Sequence, residues 1–240
     1  MKRNQSGFTL IEIAIVLVII GLLLGGVMKG QELINSAKVK NIATDFKNIP
    51  VFIYGYQDKF RAIPGDDGAA ASHVTGATEA TTPTTGLNGV VCTPATGNAG
   101  CVANGVLDGS WNSTTATDET VLFWQHIRMA GLAPGATTPG AGYMPVNAVG
   151  GEIGIQGGTS STTTTPIKNN AGTLAIRGSY IICSPGILGK FAKQLDTQMD
   201  DGNSDTGSMM AGPAAAAVGT PIVAATSLDD ASTYTVCMGI

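Results

Sequence analysis

The chain is poor in two things most globular proteins of its length possess. Aromatic residues make up 5% of its 240 residues and charged residues 12%, the latter about half the usual share. A large aromatic core is therefore excluded, and the soluble part should combine a small core with long loops rich in Thr, Gly and Ala. Acidic side chains number 17 against 13 basic, for a net charge of −4. No basic cluster occurs beyond the first half of the long helix described below, so direct nucleic-acid binding through a phosphate-neutralising face is not indicated. Histidine is confined to His73 and His126. His126 stands beside polar Gln125 with no Ser, Cys or acid at a triad spacing, and reads as a surface or half-buried structural residue. Two isolated histidines and acids of the turn type offer little to an enzyme, so no catalytic residue is assigned.

Of the four cysteines, none forms a C-x-x-C pair, and both histidines are distant from them in sequence, which argues against zinc. An even number favours disulfides in an oxidising compartment. Spacing suggests Cys92 with Cys101, closing a small loop, and Cys183 with Cys237, clasping the C-terminal segment onto the domain. Three connectivities are formally possible.

What the chain has in abundance is one apolar run. From Phe8 to Met28 there are 21 residues with a single charge, Glu12, about the length of helix that crosses a hydrocarbon core of roughly 30 Å. The order of elements differs from a secretory signal. Lys2 and Arg3 lead, the small residue Gly7 precedes the apolar run instead of following it, and no A-x-A pattern closes it. A cut at Gly7 would leave the hydrophobic helix on the mature chain, and Lys2 and Arg3 predict a cytoplasmic N-terminus before that cut. Glu12 costs about 2.5 to 3.5 kcal/mol in a membrane helix unless it finds a partner. The α-amine of Phe8, freed by such a cut, would supply one, either within a chain or between neighbouring chains, where the pair would set their stagger. The other reading is a membrane-edge Glu that snorkels or is protonated.

Gly7-Phe8-Thr9-Leu10-Ile11-Glu12 followed by an unbroken apolar run resembles the N-terminus of type IV prepilins and of type II secretion pseudopilins. The resemblance covers about 30 residues and rests on an order of elements that a short glycine pattern would not specify. It implies cleavage between Gly7 and Phe8 by a prepilin peptidase, N-methylation of Phe8 by the same enzyme, and a role for Glu12 in docking subunits into a helical filament. The implied partners are other pilin-like subunits, the prepilin peptidase and inner-membrane lipids. The implied location is a single-pass inner-membrane protein with its C-terminal domain in the periplasm, moving to a filament on assembly.

Past Met28 the pattern becomes amphipathic. Val39, Ile42, Phe46, Ile49, Ile53, Tyr56 and Phe60 recur at spacings of three and four and draw one apolar stripe. This predicts a single helix from the anchor to about Phe60, with a kink or break at Pro50 and a weak last turn at Gly55. In the anchor, Gly21, Gly25, Gly26 and Gly30 allow close helix approach, local loosening, or simply tolerated glycine. Asp66 and Asp67 read as turn residues, and Ala69 to Asn104 as a long surface loop.

A helix is expected from Val121 to Ala130, capped by Thr117-Asp118-Glu119-Thr120 and stopped by Gly131. Strands are expected at Glu152 to Gln156, Thr173 to Ile176, Tyr180 to Cys183 and Thr233 to Met238, forming a small antiparallel sheet. A second amphipathic helix is expected from Ile187 to Met199. After it, Asp201, Asn203 and Asp205 alternate as oxygen ligands do in the first half of an EF-hand loop, but the glycine comes late, at Gly207, and the twelfth-position Glu is replaced by Gly212. The tract reads as a capped turn or as a calcium site, and some pseudopilins do hold calcium in a C-terminal loop.

The fold expected is α+β, a long N-terminal helix packed on a small antiparallel β-sheet domain with long loops. Its parts are a leader (1–7), a transmembrane or filament-core helix (8–28), the amphipathic half of that helix (29–62) and an extracytoplasmic pilin-like domain (63–240). The function expected is a filament subunit. The alternatives are a filament-tip or adhesive minor subunit and, more remotely, a membrane-tethered enzyme.

Overall fold

The computed structural model describes residues 10–80, 102–215 and 217–240. Its first element, α1 (Leu10–Phe60), is one helix of 51 residues, roughly 75 Å long at 1.5 Å per residue. Val39, Ile42, Ala43, Phe46, Ile49, Ile53 and Tyr56 are buried along one stripe. Before Val39 no residue of the helix is buried.

The helix is not broken at Pro50. Proline removes the hydrogen bond to the Phe46 carbonyl and costs about 3 kcal/mol, and the buried Ile49 and Ile53 on either side supply the packing that offsets it. Gly55 has a packing reason as well as a cost, because a Cβ there would come within 3.3 Å of Leu132 Cδ2.

A four-residue helix, α2 (Ala70–His73), follows a short turn, where a surface loop was expected. Next comes α3 (Glu119–Met129), close to the expected span. Asp118 occupies its N-cap position, but the carboxylate accepts a hydrogen bond from the Ser113 hydroxyl instead of capping the helix. Every residue from Glu119 to Arg128 is buried, so α3 is an interior helix.

The remaining elements are β1 (Gly154–Gly157), β2 (Ile167–Lys168), β3 (Tyr180–Leu188), α4 (Gly189–Met199), β4 (Met209–Gly212), β5 (Ile222–Val223) and β6 (Thr233–Gly239). Strands β1, β3, β6 and β4 form, in that spatial order, an antiparallel sheet. The fold is thus α+β, a long helix on a small antiparallel sheet.

Two further expectations need correction. Ile187 and Leu188 end β3, past an irregularity between Ser184 and Ile187, and do not begin the helix. Thr173 to Ile176 forms no strand; it contributes one bridge, Lys168 to Ala175, and Ile176 N–H donates to the Ile167 carbonyl. Strand β4, and the short parallel pair of β2 with β5, were not anticipated.

Strand alternation divides the interior in two. Ile155, Ile182, Val236, Met238, Met209 and Ala211 face the core that includes α1, α3 and α4. On the opposite face Ile181, Cys183, Met210 and Cys237 pack with Trp111, Ile167, Ile176 and Ile222. The sheet is covered on both sides, and only the second covering lies away from the long helix.

Candidate functional site

From Leu10 to Met28, α1 carries fourteen large apolar side chains that are exposed, among them Leu10 at 88% and Leu22 at 73%. This half is long and apolar enough to cross a membrane. Glu12 lies in the first turn of the described helix, between Ile11 and Ile13, both exposed. Gly7 and Phe8 fall outside the described residues. A Cβ added at Gly21, Gly25, Gly26 or Gly30 would meet nothing within 4 Å among the described residues, so no contact described within the chain requires these glycines.

The apolar surface gives way to an exposed ion pair, Lys29 Nζ to Glu32 Oε2 at 2.7 Å. The Lys29 hydrogen bond and charge lower the Glu32 carboxyl from its ordinary value. Both groups are well exposed, and the pair marks a boundary more than it stabilises one.

The far end of α1 is held by a polar clamp. Tyr56 Oη and His73 Nδ1 both donate to Asp67 Oδ2, each at 2.7 Å, and Ala69 N–H donates to Oδ1. Burial pushes the Asp67 carboxyl up, but the bonds from His73, Tyr56 and Ala69 outweigh it and hold it below the usual range. Asp66 beside it accepts from the Asn104 and Gly105 amides at 3.1 and 2.7 Å. Burial raises its carboxyl to about 6 in spite of those amides. Both acids are buried. They are thus staples between α1, α2 and the 103–108 loop, beyond the turn role their local sequence suggests.

Gly65 completes the clamp at φ +94°, where a side chain would collide with the Glu119 carbonyl and Leu107. Its N–H donates to His126 Nδ1 at 2.9 Å, and His126 Nε2–H donates to the Thr78 carbonyl at 2.8 Å. These contacts define the neutral Nε2–H tautomer. Burial lowers the His126 pKa, which favours the same form. The expected surface or half-buried position is therefore wrong, since His126 is fully enclosed. Glu119, also fully enclosed, takes the Asp108 N–H on Oε2 at 2.7 Å and has no hydrogen-bond partner on Oε1. Desolvation, against that one amide, pushes its carboxyl to about 9.

The acidic tract after α4 satisfies itself. Asn203 N–H donates to Asp201 Oδ1, Asp205 N–H to Asn203 Oδ1, and Thr206 Oγ1 to Asp201 Oδ2. Asp205 also accepts from the Asn170 N–H, so Asp201 and Asn203 bond locally within the loop and Asp205 ties the loop to the segment at Asn170. The carboxylates that converge are Asp196, Asp200 and Asp201, each with an oxygen within 4.8 Å of the others. Burial raises Asp196 to about 6, and one oxygen of Asp200 is taken by the Met209 amide. Among the described residues this is the group whose spacing could hold a cation.

Cys183 and Cys237 are disulfide-bonded as direct neighbours across β3 and β6, both fully buried. Cys92 and Cys101 lie outside the described residues. Sequence reading missed Tyr56, His73 and Glu119 as partners in the clamp, because their meeting is set by tertiary packing and no local spacing signals it.

Two comparisons bear on the chain. Residues 2–28 match the family described as the prokaryotic N-terminal methylation motif. No curated protein matches the chain.

Proposed function

We propose that this chain, which carries the N-terminus of a type IV pilin-like processed protein, is a structural subunit of a type IV pilus or pseudopilus-like filament. Prepilin peptidase cuts between Gly7 and Phe8 and methylates the new Phe8 amine. The mature helix is stored in the inner membrane with residues 63–240 on the periplasmic side. Assembly then exchanges lipid for the helices of neighbouring subunits.

The observation that carries this reading is the division of α1. From Val39 onward the helix supplies one wall of the domain core, and from Leu10 to Met28 fourteen large apolar side chains are bare. At about 1.5–3 kcal/mol per side chain, covering them is worth on the order of 20 to 40 kcal/mol relative to water. Such a surface requires lipid or partner helices. One ion pair at Glu12 is small beside that sum, so Glu12 specifies alignment and the apolar area supplies the strength.

The test is intact-mass and N-terminal analysis of the protein from its native membrane, alongside a Gly7→Trp variant. A mature chain that begins at N-methylated Phe8, with cleavage abolished by the substitution, is the expected result. An N-terminus left at Met1, or one beyond Met28, would overturn the assignment.

A further inference from the structure

Where α1 leaves the domain core, α4 stands beside it without closing on it, and an open groove of about 710 Å³ lies between the two helices. One wall is the face of α1 that carries Met28, Gln31, Glu32, Asn35 and Ser36, spaced by three and four, with buried Val39 at its inner end. The other wall is the outer face of α4, with Lys193, Gln194, Thr197 and Gln198, opposite the Phe191, Ala192 and Leu195 that enter the core. Further along α1 the same face buries Ile42, Phe46 and Ile49. It thus turns from apolar to polar where the domain stops covering it. The polar lining is within reach, since Gln31, Glu32, Lys193, Gln194 and Gln198 are exposed and Asn35 is half-buried.

Most of these groups are unspent. The side-chain amides of Gln31, Asn35, Gln194 and Gln198 make no hydrogen bond among the described residues. Glu32 and Lys193 each hold one partner, Lys29 and Asp230, in exposed pairs that water weakens. Glu32 keeps Oε1 for another partner, and Lys193 has N–H groups to spare. The depth of the groove follows from the anchor. The run from Phe8 to Met28 is about as long as a hydrocarbon core is thick, roughly 30 Å, which sets Met28 at the edge of that core. The interfacial layer beyond is about 5–8 Å deep, whereas α1 rises about 16 Å from Met28 to Val39. The anchor end of the groove therefore lies among lipid headgroups.

We propose that this groove seats the headgroup of one phosphatidylethanolamine molecule. Its ammonium donates to Glu32 and to amide oxygens, and its phosphate accepts from amide N–H groups and from Lys193. The acyl chains lie along Leu24 and Met28, which are exposed and one turn apart on the same face of α1. Phosphatidylcholine is the poorer occupant because its quaternary ammonium has no N–H to donate. Phosphatidylglycerol is the poorer occupant because its net negative charge meets Glu32 and, just beyond Gln198 and Met199, Asp200 and Asp201. The proposal rests on residues 10–28 lying in the bilayer and not on filament formation, so each reading can fail without the other.

The full chain is inserted into phosphatidylcholine nanodiscs that contain equal minor amounts of phosphatidylethanolamine and phosphatidylglycerol, and the lipid that leaves with the chain is counted by native mass spectrometry. One phosphatidylethanolamine per chain is expected, enriched about fivefold or more over its share of the bilayer, as one or two net hydrogen bonds allow. Gln194→Ala with Gln198→Ala, both on the exposed face of α4, brings the enrichment to within about twofold of none. Glu32→Gln lowers it as well and admits more phosphatidylglycerol. Glycerophosphoethanolamine, the same headgroup without acyl chains, leaves the bound lipid in place. No enrichment in the inserted chain overturns the proposal, as does enrichment unchanged in both variants, displacement by the soluble headgroup, or a lipid-free dimer in which a second copy covers the groove. A chain that does not enter the nanodisc overturns the membrane placement together with the proposal. Circular dichroism of each variant shows that a loss of lipid is not a loss of fold.

Discussion

Glu119→Gln should raise stability, and by an amount that grows with pH. In the folded chain the fully buried Glu119 carboxyl titrates near 9, against an ordinary value of 4.5. Between those values the folded state keeps a proton that the unfolded state has lost, so stability falls by about 1.4 kcal/mol per pH unit. The stability associated with the neutral acid is complete below about 4.5 and is lost as pH rises toward 9. At pH 7 the interval is about 2.5 units, or about 3 kcal/mol as an order of magnitude. Gln copies the neutral acid, keeps an oxygen for the Asp108 N–H, and has no proton to lose. The two proteins should therefore match within about 1 kcal/mol at pH 5 and separate by several kcal/mol at pH 8. Asp66, Asp118 and His126 titrate in both, so their direct contributions largely cancel in the difference. Urea unfolding of the full chain in micelles at pH 5, 6, 7 and 8 measures it. Parallel pH profiles, or a Gln variant that is the less stable at pH 8, would refute the argument.

Two further outcomes follow from other parts of the chain. Glu12→Leu should insert into membranes at least as well as the natural chain, since it removes a cost of about 2.5 to 3.5 kcal/mol, and yet fail to form filaments by electron microscopy; normal filaments would show that Glu12 sets no register. Replacing both Cys183 and Cys237 by Ala should lower stability by about 4 kcal/mol, as the chain-entropy account gives for a closed loop of this size, and a denaturation midpoint unmoved by reductant would contradict it.

Some of this architecture is plain in the amino acids and some is not, for physical reasons. Helix α1 was legible because one stripe, from Val39 to Tyr56, repeats at helical spacing for several turns and the preceding run is apolar on every side. Strand β6 was legible because Thr233 to Met238 is a strand-like piece set off by turn residues. The four residues of β4, Met-Met-Ala-Gly, carry no such alternation, since a central sheet covered on both faces asks for apolar residues on both. His126 and Glu119 misled because polar residues usually lie outside, and only the fold reveals Gly65, Thr78 and Asp108 as their partners. Asp66 and Asp67 do occupy a turn, so local chemistry described their backbone correctly and missed what their carboxylates hold. The carboxylate group beside α4 was displaced from the expected set because Asp196 belongs to the helix and was never counted with the loop.

The unbroken passage of α1 through Pro50 has a mechanical consequence. If the chain were held by its first half and pulled by its domain, tension would pass along one rod, whose hydrogen-bonded turns act in series. Pro50 removes one of those bonds, at the Phe46 carbonyl, so the rod's weakest turn lies among the buried residues Phe46, Ile49 and Ile53. Packing against the domain splints the helix at that turn. Stretching would have to peel the helix from the core before it could unwind there, and so the domain reinforces the very rod that carries it.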